Sequence, residues 1–373
     1  MNIRFGLILL LPGAVVAQAA QPPVHRAVID LTIGSMDENR DDYVFEDIRG
    51  LVFDRQGRIF VAEYKANEVR VFSEKGTLLF KVGRKGGGPG DLDGPCCIAL
   101  AADGDLWVKE FTNHRYSIFG IAQSQGTFRW SLVLPHAVSY GGNDRITWDP
   151  AGDVADLDGL PFKDGHSTGV LRTMLDSTGR AARSDTFPEA PRDSTKSAVH
   201  FQNFPGGGRG STWVNQPFGP DRLRAFGPAG VSAQAMSSRY VVEVKDATGK
   251  RVALLRRDVT GPMLSAAERA SAAKTIRAIE SRWNESMPFG VPERKPPLAA
   301  LGFDLDGRLW VELSVPDGEV HVADLYDRDF RRIATMEWPG NVRLTSSAVR
   351  GMTGLGVARD SMGTLSVVRL QFR

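Results

Sequence analysis

The segment GHSTG at 165–169 matches the G-x-S-x-G pattern, in which a strained strand-to-helix turn holds a serine hydroxyl beside its base. That geometry needs a strand before the turn and a helix after it. Here both flanks read as antiparallel strand and hairpin, so Ser167 is expected in a loop between strands and not as a nucleophile. The glycine run GRKGGGPG at 83–90 offers backbone amides to a phosphate, yet no GK[ST] follows and no helix begins where those amides point. It is expected to connect one sheet to the next. His25, His114, His136, His166, His200 and His321 form no H-x-x-H or H-E-x-x-H pattern, so a metal would need ligands gathered from distant parts of the chain. Of these, His114 and His166 fall in loops between second and third strands, on one rim. Cys96 and Cys97 are the only cysteines. Neighbouring strand side chains point to opposite faces, so a bond between them would need a strained local turn. Two small buried residues is the expectation, with a vicinal redox pair or an intermolecular bond as the alternative. No second pair exists to staple the fold outside the cytoplasm.

Strands must position these side chains. Over residues 50–95, Leu51, Phe53, Ile59, Val61, Val69, Val71, Leu78 and Phe80 keep a period of two within four short segments. Reversals at 54–57, at 73–76 and in the glycines of 86–90 join them into one four-stranded antiparallel sheet. The pattern returns along the chain, and repeated sheets that bury both faces against copies of themselves read as propeller blades. Blades are expected at 44–92, 95–135, 144–187, 217–259 and 298–338, with a last one at 342–373. That last blade supplies three strands, and the alternating strand at 26–35 would be its fourth. The sum is an all-β, six-bladed propeller over 20–373, closed by its N-terminal strand so that no sheet edge stays open. Residues 188–216, rich in Pro, Ser and Gly, read as irregular. One helix is inserted at 265–286, where Ser265 and Glu268 form a capping box and Ala270, Ala273, Ile276, Ile279 and Trp283 share a face before Pro288.

The 46 basic and 44 acidic residues nearly cancel, and a formal charge of +2 gives no reason to invoke nucleic acid or an anionic membrane. Residues 1–19 carry Arg4, an apolar run from Phe5 to Val16 and an A-x-A site at Ala17 and Ala19, the marks of a cleavable signal peptide. No later stretch approaches the ~20 apolar residues of a spanning helix. With no cysteine after the apolar run to take a lipid anchor, a periplasmic or secreted monomer is expected.

Residues 83–119, GRKGGGPGDLDGPCCIALAADGDLWVKEFTNHRYSIF, resemble the NHL-type six-bladed propeller repeat, including Asn113 and Arg115 before an alternating third strand. The first repeat departs from that pattern, with Ala66 and Glu68 at the matching places. The resemblance is specific over 44–135 and dilute beyond. The whole chain is also similar to a group of uncharacterised exported bacterial six-bladed propellers sharing the late helix and the composite last blade. It implies an exported, non-enzymatic scaffold that binds a small molecule, glycan or protein on the channel rim. The alternative, taken from other six-bladed propellers, is a lactonase- or lyase-type enzyme with a channel calcium or zinc that polarises a carbonyl.

In a four-stranded blade, the loops leading into the first strand and those joining the second to the third open on one rim. Leading into the inner strands are Glu46 and Arg49, Asn143 and Arg145, Arg222 and Arg224, Lys295, and Arg343; on the second-to-third loops are Glu63, Lys65, Glu110, Asn113 and Asp158. Arginines converging on one axis repel unless paired or bound to an anion. Glu46, Arg49, Asn143, Arg145, Arg222 and Arg343 are therefore the candidate ligand-binding residues, for a carboxylate or sugar acid. The competing reading pairs each arginine with a local acid, Arg49 with Glu46 for instance. The enzyme would need several acidic or amide residues converging in the channel, and the inner strands show Glu46, Asn143 and Asp149 but no recognisable set, so no metal ligand is predicted. No catalytic residue and no resident cofactor is predicted.

Overall fold

The computed structural model describes residues 21–34, 38–134, 146–148, 154–160, 162–163, 166–167, 169–188, 196–203 and 209–373. The signal-peptide reading of 1–19, and Asn143, Arg145 and Asp149, lie outside them.

After β1 (Val24–Ile33), the chain lays down β2 (Ile48–Phe53), β3 (Ile59–Glu63), β4 (Glu68–Phe72) and β5 (Leu78–Val82) as one antiparallel sheet. The next is β6 (Pro95–Leu100), β7 (Leu106–Glu110), β8 (Arg115–Ile121) and β9 (Gly126–Val133). The third pairs β10 (Ile146–Trp148) and β11 (Val154–Gly159) with strands that follow a small hairpin, β12 (Phe162–Lys163) and β13 (His166–Ser167). Those strands are β14 (Gly169–Leu175) and β15 (Ala181–Pro188). Residues 188–216 hold a second hairpin, β16 (Ser197–Asn203) and β17 (Arg209–Asn215), which corrects the irregular reading. The fourth sheet is β18 (Arg222–Phe226), β19 (Ser232–Met236), β20 (Val241–Lys245) and β21 (Arg251–Arg256), and α1 (Ala266–Trp283) follows.

The final sheet has eight strands. β22 (Leu298–Phe303), β23 (Leu309–Leu313), β24 (His321–Tyr326) and β25 (Arg332–Trp338) form one half; β26 (Val342–Arg350), β27 (Thr353–Arg359) and β28 (Leu365–Phe372) belong to the other. β1 lies between them. It pairs antiparallel with β28, Ala27 opposite Phe372 through Ile33 opposite Val367, and parallel with β25 at Val24–Thr335.

The core lies between sheets, and strand alternation puts it there. Along β3, Ile59 and Val61 pack with Leu355, Val357 and Val367 of the last strands, while Phe60 and Ala62 pack with Ile98, Leu106 and Val108 of the second sheet. A strand with both faces covered has no polar side, and all five residues of β3 are buried. Where β14 and β15 meet the fourth sheet the contact is cationic: Arg172, 1% exposed, lies over Phe187 and Phe226 and its Nη2 donates to Gly230 O at 2.7 Å. The molecule is thus an all-β propeller of four-stranded antiparallel blades, with one α-helix among the described residues.

In α1 the Ser265 hydroxyl accepts from the Glu268 N–H and the Glu268 carboxylate accepts from the Ser265 N–H, the reciprocal cap that the sequence predicts. Its buried face runs through Glu268, Ala272, Ile276 and Trp283. Ala270 is exposed and Ala273 half-buried, so the expected face is rotated toward Glu268, which pairs with Lys295 at 2.5 Å. Trp283 stacks on His200 of β16, which anchors the helix beside the extra hairpin.

Candidate binding site

Two ends of the inner strands offer sites. At the end where the chain leads into them, the same irregularity recurs: the register slips between Ile48 and Gly50, between Pro95 and Cys97, and between Leu298 and Ala300. Such a bulge sets two residues opposite one and re-aims a side chain. The extra residues are Arg49, Cys96 and Ala299.

Arg49 grips Asp47 with Nε at 3.0 Å and Nη2 at 2.7 Å and lies 3.9 Å over the Tyr64 ring. Its local acid is Asp47, and not Glu46, which is exposed. Arg343, also exposed, reaches Ile48 O at 3.5 Å, so these two arginines come together from opposite ends of the chain. Arg222 opens β18, whose sheet packs on β22, and its N–H donates to Asp221. Lys295 is taken up by Glu268 and Val315 O.

The carboxylates of the second-to-third loops are structural. Glu63, 1% exposed, accepts from the N–H groups of Glu46, Asp47 and Ala66. Glu110, fully buried, accepts from Asp93 N–H, Asn113 Nδ2, Arg115 Nε and Ser117 Oγ. Arg115 goes on to clasp the carbonyls of Gly87, Gly88 and Asp91. The glycine run is accordingly a clamped connection, and a Cβ at Gly86 would stand 2.5 Å from the Asp91 carboxylate. His114 has φ 48°, the left-handed position of its turn. The His166–Ser167 strand pairs with β12, with Ser167 opposite Phe162. No helix follows Ser167, so the elbow geometry is absent.

At the other end, the turns that join first to second strands surround a cavity of about 350 Å³. Its walls include Phe53, Phe226 and Phe303, and its polar lining includes Asp54, Arg55, Arg58, Asp103, Asp304 and Arg350. Most of these charges are satisfied. Asp54 accepts from Gln56 and Arg58 N–H and from Arg58 Nε at 2.7 Å. Asp304 accepts from Arg308 Nε at 2.7 Å and Trp310 Nε1 at 2.9 Å. Burial pushes the Asp304 carboxyl up, and those two donors pull it back. Arg350 lies 5.3 Å from the Phe53 centroid. Among the described residues neither Arg350 nor Arg55 pairs with a carboxylate. Setting Asp54 against Arg58 and Asp304 against Arg308 leaves two guanidiniums facing the single carboxylate of Asp103.

Sequence reasoning missed this end. Asp54–Gly57 and its equivalents were readable as reversals, and the signal that points to a site is the charge carried on them, at Arg55 and Asp103, together with Arg350.

Among the described residues no three His, Cys, Asp or Glu side chains gather closely enough to hold a metal ion. No described helix is long and apolar enough to cross a membrane.

No protein-family model matches the chain, and no curated protein matches it in sequence. Solved structures do. A Bacteroides fragilis protein described as exported is 9% identical, aligns over 94% of this chain and 99% of its own, and has a TM-score of 0.51. Virginiamycin B lyase from Staphylococcus aureus is 13% identical over 87% of this chain and 94% of its own, with a TM-score of 0.40. Regucalcin, a calcium-binding protein from Agrobacterium tumefaciens, is 12% identical over 95% and 98%, with a TM-score of 0.37. At such identities the likeness is one of fold, and only the first is near enough to carry it: this chain is built as a β-propeller over almost its whole length.

Proposed function

We propose that the chain is an exported six-bladed propeller that binds a small molecule with an apolar body and an anionic group, without transforming it. The six-blade count takes the eight-stranded sheet as two blades sharing β1, which is supported by β22 to β25 and β26 to β28 each having a first strand packed on a neighbouring sheet. Export is supported by the signal-like residues 1–19.

One observation carries the binding reading: the 350 Å³ cavity with aromatic walls and two guanidiniums, Arg55 and Arg350, set against the one carboxylate of Asp103. Small-ligand pockets begin at about 300 Å³ and combine apolar lining with few placed polar groups. A guanidinium 5.3 Å from the Phe53 centroid keeps its N–H edge for a carboxylate, a charge-assisted bond stronger than a neutral one. The ligand class is a compact aromatic or alicyclic carboxylate. The arginines of the opposite rim serve this reading less well, since Arg49 already holds Asp47. A metal-dependent lactonase or lyase is the weaker alternative, drawing no support from the described side chains.

A thermal-shift series with phenylacetate, benzoate and cyclohexanecarboxylate tests it, each beside its uncharged amide. The carboxylates should raise the melting temperature and the amides should not, since a ligand of the folded state at 100 times its Kd adds about 2.7 kcal/mol. Arg350→Ala should remove the shift. Equal shifts with acid and amide, or an unchanged shift in the variant, would sink the reading.

A further inference from the structure

The geometry points to a modification site outside the cavity: we infer that Cys96 and Cys97 close a reversible vicinal disulfide by exchange with a disulfide reagent. In an unbroken strand the two thiols would lie on opposite faces. The bulge between Pro95 and Cys97 changes that, making Cys96 the extra residue and bringing the two Sγ atoms to 3.0 Å. Both are half-buried thiols on β6, the first strand of its blade.

The site is built, not incidental. The same slip at the start of β2 and β22 carries Arg49 and Ala299, so it belongs to the blade and not to the cysteines. Cys97 packs against the core of Ala99, Trp107 and Tyr116, which fixes the backbone on one side. Its register partner is Lys109, whose ammonium is held at 2.8 Å from Asp156 of the next sheet. Closing the bond therefore needs rotation of two side chains in a framework that is already set.

The exchange balances in two steps. One thiolate attacks the reagent disulfide, forming a mixed disulfide and releasing one reagent thiol. The neighbouring thiolate then displaces the second reagent thiol, so two protein thiols are oxidised and one disulfide is reduced to two thiols. Consecutive Cα atoms lie about 3.8 Å apart, below the roughly 4.4–6.8 Å that most disulfides span. The bond is consequently strained and easily reduced, a switch and not a staple.

Mature protein is equilibrated in glutathione buffers from fully reduced to fully oxidised, quenched with N-ethylmaleimide and weighed intact. The expected result is a monomer lighter by two hydrogens that takes no maleimide at the oxidised end and both at the reduced end. Cys96→Ala and Cys97→Ala should each stop at a single glutathione adduct. Two maleimides in every buffer, two glutathione adducts on the unaltered chain, or covalent dimers would overturn the inference. The wild-type measurement decides even if a variant misfolds.

Discussion

Glu110 is a carboxylate with no access to solvent and four donors around it. Removing one partner of a buried ionic cluster leaves the others charged and unpaired, which costs about 3–5 kcal/mol. Glu110→Ala should lose stability on that scale in urea unfolding, and Glu46→Ala, exposed, should change it by no more than about 0.5 kcal/mol. Glu46 leads into a first strand and Glu110 ends a second one, and in the sequence they look alike. What separates them is three-dimensional: Glu110 accepts the backbone N–H of Asp93, from a segment it meets only after folding, beside its three side-chain donors. His321 shows the same thing with a pH signature. Its hydrogen bond to Glu312, with burial opposing, raises the imidazole above its usual value. The fold therefore favours the protonated form, and this contribution is complete below about pH 6.5, the unfolded value. It is lost as pH rises through the higher folded value. The stability advantage of wild type over His321→Gln should accordingly shrink between about pH 6 and pH 8, as read by chemical melts at each pH.

Hairpins are the element that the sequence declares most openly. Asp54, Asp176, Asp246, Asp304, Asp327 and Asp360 each accept, on one carboxylate oxygen, the N–H groups two and four residues on. Three residues after the acid the chain turns left-handed, usually at glycine, as at Gly57 and Gly307; Phe330 takes the same conformation with a φ of 61°. These are local bonds among near neighbours, so the D-x-x-G spelling reveals them. Gly104→Ala and Gly230→Ala should differ in cost. At Gly104 the added carbon meets open space and the penalty is the roughly 1–2 kcal/mol of a left-handed alanine. At Gly230 it would also stand 2.5 Å from the Ala247 Cβ, so unfolding should show a larger loss. Ser265→Ala should cost α1 about 1 kcal/mol. The bulges of β2, β6 and β22 were hidden, because an inserted residue looks like a lapse of alternation until the partner strand is known.

At the scale of the molecule, the missing fourth strand of the last blade could be counted from the sequence, and β1 fills it. The cavity could not, since which turns share an end depends on how sheets are stacked and not on any one of them. β1 contributes Ile33 to the core shared by the first and last sheets, and its removal would expose the edges of both β25 and β28. A chain lacking residues 21–34 should aggregate, or melt well below the chain that keeps them with a broadened transition, on size exclusion and calorimetry.

That strand also sets an order of events. Of the described strands β1 is made before the others, and it must wait for β28, the latest of them, before either has a complete set of hydrogen bonds. The pairing with the largest loop to close is reached late and slowly. A chain held in that waiting state leaves the edges of β25 and β28 uncovered, open to proteases and to other chains until β1 and β28 meet.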